Sequence, residues 1–164
     1  MRKNIIILGS TGSIGVTTLS IIKRNKSKFN IQLLSTKQNA KKVLEQALLF
    51  NVTNVIIEDQ NKYNKFKSIF KKKKINLHHG IKSIDNILKN NRSEYCINAI
   101  SGIFGLEPTL KIIPFTKNIL IANKESIICG WSLIKKKLKK YNTNFIPIDS
   151  EHFSIWKLIK NEKP

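Results

Sequence analysis

Ile5-Ile6-Ile7-Leu8-Gly9-Ser10-Thr11-Gly12-Ser13-Ile14-Gly15 is the stretch whose reading decides the fold. A short apolar run ends at a glycine, and two more glycines follow at three-residue intervals with small hydroxyl residues between them. Apolar periodicity then resumes at Ile14, Leu19, Ile21 and Ile22. The pattern predicts a buried strand, a tight turn and the first turn of a helix. Glycines in such a turn let backbone approach a ligand closely and adopt positive φ without strain. The free N–H groups and the positive helix end attract a phosphate. The spacing Gly9-x-x-Gly12-x-x-Gly15 departs from the G-x-G-x-x-G fingerprint. By itself the stretch also reads as an ordinary strand–turn–helix built from small residues.

Working outward, short apolar runs alternate with longer periodic segments. Strands are expected over 5–8, 31–35, 54–57, 76–78, 95–100, 118–122 and 144–148. Helices are expected over 14–25, 40–50, 63–72, 83–89, 105–113, 125–140 and 151–160. Asn39 is a candidate N-cap, Pro108 suits a first helical turn and Pro114 marks a helix end. Such alternation implies βαβ units and a parallel sheet. With the glycine turn after the first strand, the expected fold is α/β: a doubly wound, mostly parallel Rossmann-like sheet with helices on both faces.

The composition sets limits. With 164 residues and 41% hydrophobic content, the chain can form one domain with a sizeable core. No apolar run approaches the roughly 20 residues needed to span a bilayer, so no membrane partner is expected. Cys96 and Cys129 are far apart and form no C-x-x-C pair, which points to a reduced, cytoplasmic protein without structural zinc. The net charge of +20 suggests an anionic partner. However, only Arg2, Arg24 and Arg92 of the 30 basic residues are arginines, leaving 27 lysines. Lys, Asn and Ile all have A/T-rich codons, so compositional drift accounts for the bias. Base readout favours the arginine fork. No specific nucleic-acid partner is expected, and a general attraction for anionic substrates remains.

Three further segments stand out, the first being Ile100-Ser101-Gly102-Ile103-Phe104-Gly105-Leu106-Glu107-Pro108-Thr109, which follows a strand with another Gly-containing turn. Leu120-Ile121-Ala122-Asn123-Lys124-Glu125-Ser126 puts Asn, Lys and Glu at a strand's C-terminal end, where open α/β sheets bind ligands. Ile146-Pro147-Ile148-Asp149-Ser150-Glu151-His152 ends the last strand with carboxylates at i and i+2. In an extended segment those two side chains point the same way, and paired oxygens suit Mg²⁺ or Mn²⁺. The last two have plainer readings: Asn-Lys-Glu as a helix start with a surface ion pair, and Asp-Ser-Glu as a capping segment for a final helix.

Together, in this order, the segments resemble the 1-deoxy-D-xylulose 5-phosphate reductoisomerase family, whose pattern runs I-L-G-S-T-G-S-I-G, then A-N-K-E-S, then P-V-D-S-E-H. The resemblance covers essentially the whole chain. It implies an NADPH- and metal-dependent enzyme that rearranges and reduces a five-carbon sugar phosphate to 2-C-methyl-D-erythritol 4-phosphate, for isoprenoid precursors. It assigns Thr11, Gly12, Ser13 and Ile14 to the cofactor phosphates, and Asn123 and Glu125 to cofactor contacts. Lys124 becomes a catalytic and substrate-binding residue. Asp149 and Glu151 become catalytic metal ligands for Mn²⁺ or Mg²⁺, with Ser150 touching substrate. Residues 1–148 would be the NADPH-binding domain and 149–164 the truncated start of the catalytic region. Family members are homodimers.

Two positions depart from the family pattern. Where the family commonly has Gly-Lys-Asn facing the adenosine 2′-phosphate, this chain has Lys37-Gln38-Asn39, with its lysine one place earlier. Phe153 stands where an Asn often follows Ser-Glu-His. The family's third metal carboxylate, substrate-phosphate ligands and active-site flap lie further along. The expectation is therefore an N-terminal fragment or the product of a degenerate gene. Two alternatives stand beside it: a non-catalytic dinucleotide-binding module, and a basic nucleic-acid-associated α/β protein.

Overall fold

The computed structural model describes residues 2–89 and 91–148. The expected helix over 151–160 lies outside the described residues, as do Asp149, Ser150 and Glu151.

Strand and helix alternate along the chain: β1 (Lys3–Leu8), α1 (Ser13–Arg24), β2 (Phe29–Thr36), α2 (Ala40–Phe50), β3 (Asn54–Ile57), α3 (Gln60–Lys72), β4 (Asn76–His79), α4 (Ile84–Leu88), β5 (Ser93–Asn98), α5 (Leu106–Ile112), β6 (Thr116–Ile121), α6 (Lys124–Tyr141) and β7 (Asn144–Pro147). Among the described residues seven strands form one sheet in the order β4-β3-β2-β1-β5-β6-β7. Every pairing is parallel, so the sheet is wholly rather than mostly parallel. Parallel sheets are stable when both faces are covered, and the residues of β1 show how this one is. Ile5 and Ile7 join a cluster with Leu19 and Ile22 of α1, Val43 and Ala47 of α2, and Phe70 of α3. Ile6 and Leu8 point the other way, into a cluster with Ile84 and Leu88 of α4, Ile112 of α5, and Ile127 and Ile134 of α6. Successive side chains of a strand alternate faces, so one unbroken apolar run serves both layers. Each fully buried Ile or Leu of this kind contributes about 1.5–3 kcal/mol.

Helix ends follow local chemistry. Asn39 caps α2, its side chain accepting from Lys42 N–H at 3.3 Å. Asp59 caps α3, accepting from Lys62 N–H at 2.8 Å, so that helix starts three residues before the expected Tyr63. Asn51 and Asn142 close α2 and α6 in the left-handed conformation. The expected strand over 95–100 is shifted to Ser93–Asn98, which frees Ala99 and Ile100 for a loop. Among the described residues no helix is long and apolar enough to cross a membrane.

The two cysteines sit in opposite environments. Cys96 is buried in β5, and burial pushes its thiol far above the usual range, whereas Cys129 is exposed on α6. Ellman's reagent is therefore expected to titrate one thiol in the native protein and two in denaturant. Two fast thiols in the native state would mean that β5 is accessible.

Candidate functional site

Because all strands are parallel, every loop after a strand lies along the same sheet edge. The chain winds outward from β1 to β4, then returns to lay β5 beside β1. That reversal is a topological switch point, and a crevice opens where the loops after β1 and β5 diverge.

The glycine turn sits in this crevice, and its three glycines do different work. Gly9 has φ +76°, the left-handed region, and a Cβ there would also meet Ala99 O at 2.8 Å. Gly12 has φ −75° and ψ 173°, so it needs no positive φ; a Cβ there would meet nothing nearer than Gly9 O at 3.5 Å. Gly15 is a packing position: a Cβ would lie 2.5 Å from Gly9 O and 2.6 Å from Ser10 Cα. Gly12 is the N-cap of α1 and offers no side chain to its first N–H groups, and no acidic residue stands in the first turn. Those donors and the positive end of a twelve-residue helix are left for an anion.

Buried and half-buried hydrogen bonds hold the turn. Gly9 N–H donates to Ser35 Oγ at 3.0 Å, and Ser10 N–H to Ser35 O at 2.9 Å. Ser10 Oγ donates to Gln46 Oε1 at 2.7 Å while Gln46 Nε2 donates to Ser10 O at 2.9 Å. The Thr11 and Thr36 hydroxyls share a 2.7 Å bond, and Lys42 Nζ donates to Thr11 O at 3.0 Å. Ser35, Gln46 and Lys42 escape sequence reading because they reach the turn only once β2 and α2 have packed beside it. Their one faint signal is helical spacing, with Lys42 and Gln46 a turn apart on α2.

The crevice has two lobes that share Ala99, Ile100 and Ser101. The first, about 480 Å³, is lined by Thr11, Gly12, Lys37, Glu58 and Phe104 among others. The second, about 390 Å³, is lined by Ile14, Asn123, Lys124, Glu125 and Ile148 among others. Of the expected site residues, Thr11, Gly12 and Lys37 thus gather in one lobe, and Ile14, Asn123, Lys124 and Glu125 in the other. Ser13 opens α1 between them. Gln38 and Asn39 follow Lys37 in the exposed loop after β2, with Asn39 also serving as the cap of α2.

Asn123 is 5% exposed. Its Nδ2 donates to Ile100 O and to Gly102 O, the latter at 3.1 Å, which fixes the amide orientation. Its Oδ1 has no hydrogen-bond partner among the described residues. A buried acceptor without a donor is costly, and a ligand N–H or O–H arriving in this lobe would satisfy it. Gly105 makes room for that amide, since a Cβ there would overlap Asn123 Nδ2. Among the described residues no group of three His, Cys, Asp or Glu side chains could hold a metal ion. The Asp149–Glu151 pair lies outside them.

The model of the 1-deoxy-D-xylulose 5-phosphate reductoisomerase family matches residues 5–130. The reductoisomerase of Pelagibacter ubique is 53% identical over 98% of this chain, which spans 42% of that protein. A solved reductoisomerase from Zymomonas mobilis in complex with NADPH is 29% identical with a TM-score of 0.83, covering 92% of this chain and 40% of its own. Another, in complex with NADPH, fosmidomycin and magnesium, is 30% identical with a TM-score of 0.84, covering 92% of this chain and 37% of its own. The chain thus spans about two fifths of the length of these relatives. A family match that takes in both the glycine turn and the Asn123–Lys124–Glu125 segment settles the lineage: the chain belongs to the 1-deoxy-D-xylulose 5-phosphate reductoisomerase family.

Proposed function

We propose that this chain is the NADPH-binding portion of an enzyme that converts 1-deoxy-D-xylulose 5-phosphate to 2-C-methyl-D-erythritol 4-phosphate, using Mn²⁺ or Mg²⁺, in isoprenoid precursor synthesis. The observation that carries the reading is the two-lobed crevice with an uncapped helix N-terminus at its middle. A dinucleotide has that shape: two nucleoside halves joined by a pyrophosphate. Solved family members bound to NADPH, fosmidomycin and magnesium support it.

In this reading Thr11, Gly12, Ser13 and Ile14 hold the pyrophosphate at the helix-end N–H groups, Gly12 by having no side chain, since its own N–H donates to Gly9 O at 3.1 Å. Lys37 faces the 2′-phosphate, flanked by Gln38 and Asn39. Asn123 Oδ1 accepts a hydrogen bond from the nicotinamide half, and Glu125 at the start of α6 contacts the same half. Lys124 binds the sugar phosphate beside it. The chain runs from Ile148, which lines this lobe, directly into Asp149. Residues 1–148 are then the cofactor domain, and Asp149, Ser150 and Glu151 open the catalytic region, the two carboxylates as metal ligands and Ser150 as a substrate contact. Bound NADPH supplies the hydride and the metal supplies a Lewis acid. The whole enzyme works in the cytoplasm as a homodimer.

Fluorescence titration tests the cofactor reading. NADPH is expected to bind about fivefold more tightly than NADH, the effect of one exposed charge pair of about 1 kcal/mol. Lys37→Ala should remove most of that difference. Equal affinities in the parent protein would take Lys37 out of this role.

A further inference from the structure

Asn98 ends β5 and is fully buried, yet the reading above gives it no task. Every polar atom of its side chain is engaged. Nδ2 donates to Gly105 O at 2.9 Å and to Thr109 Oγ1 at 2.7 Å, and Oδ1 accepts from Ile100 N–H at 3.1 Å. The Thr109 hydroxyl, also fully buried, donates to Gly105 O at 2.8 Å. A buried amide at the end of a strand thus serves the loop that follows it. Ile100 in that loop is held from two sides. Asn98 Oδ1 takes its N–H, and Asn123 Nδ2 takes its carbonyl together with that of Gly102. The Asn98 carbonyl accepts in turn from Ala122 N–H at 3.1 Å, one residue before Asn123.

We propose that Asn98, backed by Thr109, is a positioning residue for the nicotinamide half of the cofactor: it fixes the loop whose carbonyls orient the Asn123 amide, leaving Asn123 Oδ1 as the acceptor for the nicotinamide carboxamide. The proposal rests on the NADPH reading. An amide has two orientations. Reversed, Asn123 Oδ1 would meet the Ile100 and Gly102 carbonyl oxygens, acceptor against acceptor. Those two carbonyls therefore choose the orientation, and Asn98 ties the loop that carries them at both ends, through Ile100 N–H and Gly105 O. Asn98 lines neither lobe, so it acts through Asn123 and not by touching the ligand.

Calorimetric titration with NADPH and with 2′-phospho-ADP-ribose, the same molecule without its nicotinamide ring, tests the role. The parent protein is expected to bind NADPH about tenfold more tightly than the truncated ligand, because a buried acceptor gains its donor only from the complete cofactor. Asn98→Ala and Asn123→Ala should each abolish that preference while holding 2′-phospho-ADP-ribose within about twofold of the parent, and the double variant should lose no more than either alone, since both act on one contact. Thr109→Val, which removes the hydroxyl and keeps the shape, should cut the preference to about threefold or less, and Thr109→Ser should restore it. A residue that only supports the fold would weaken both ligands alike. Equal affinities in the parent protein, a preference that survives in Asn98→Ala, or a loss shared by both ligands would overturn the proposal and leave the NADPH reading in place. Should Asn98→Ala not fold, an undiminished preference in Thr109→Val overturns it. Failure of both ligands to bind the parent protein would overturn the NADPH reading and this role with it.

Discussion

A Gly12→Val variant is expected to lose about 100-fold in NADPH affinity, about 3 kcal/mol, while melting within a few degrees of the parent protein. The two halves of that expectation have separate causes. Gly12 has φ −75° and ψ 173°, extended backbone that valine adopts readily. Its Cβ would make only ordinary contacts, 3.5 Å from Gly9 O and 3.9 Å from Ala99 O. The fold therefore has no reason to object. The methyl groups would, however, project at the N-cap of α1, where a phosphate needs the bare backbone N–H groups. Charge-assisted bonds to such donors contribute about 1.5–3 kcal/mol each, so losing one or two accounts for the size of the effect. Titration and thermal melting of the same sample decide it. Retained affinity would place the cofactor away from the turn.

Three residues further on, Gly15→Ala should do the reverse. A single methyl group would sit 2.5 Å from Gly9 O, 2.6 Å from Ser10 Cα and 2.7 Å from Ser10 C. These are backbone atoms, tied down by Ser35 and Gln46, and they cannot rotate away as a side chain would. Overpacking of this kind costs about 3 kcal/mol, which lowers Tm by roughly 6–12 °C in a chain of this size. The helix must back away from the turn, so cofactor affinity falls as a consequence of the distortion. Calorimetry gives the answer directly. An unchanged Tm would mean that α1 does not press on the turn as closely as the packing indicates.

The contrast between these glycines marks where sequence reading stops. The order of strands and helices was legible because the apolar run at Ile5–Leu8 and its counterparts are too short for helices and too uniform for surface strands. The turn itself was legible from its small residues. Its division of labour was not: three glycines at equal spacing look alike, and only backbone angles and neighbouring atoms separate the left-handed Gly9 from the open Gly12 and the packed Gly15. The start of α3 was missed because its first turn, Gln60-Asn61-Lys62, has no apolar residue, and Asp59 declares itself as a cap only when Lys62 N–H is seen against it. The candidate site was legible where its residues are contiguous, as in Asn123-Lys124-Glu125. Lys42 was not, since it meets the turn only through the order in which the strands are laid side by side.

That order has a mechanical side. The half of the sheet from β1 to β4 and the half from β5 to β7 meet along a single seam, where Ile5, Ile6, Ile7 and Leu8 run beside Tyr95, Cys96, Ile97 and Asn98. At the top of the seam the Ala99 N–H to Leu8 O bond continues it. The two lobes of the crevice lie on opposite sides of that line. Any molecule long enough to fill both is a clasp across a joint, adding a strap at the loop end of a seam whose two faces are already bound by the helix layers.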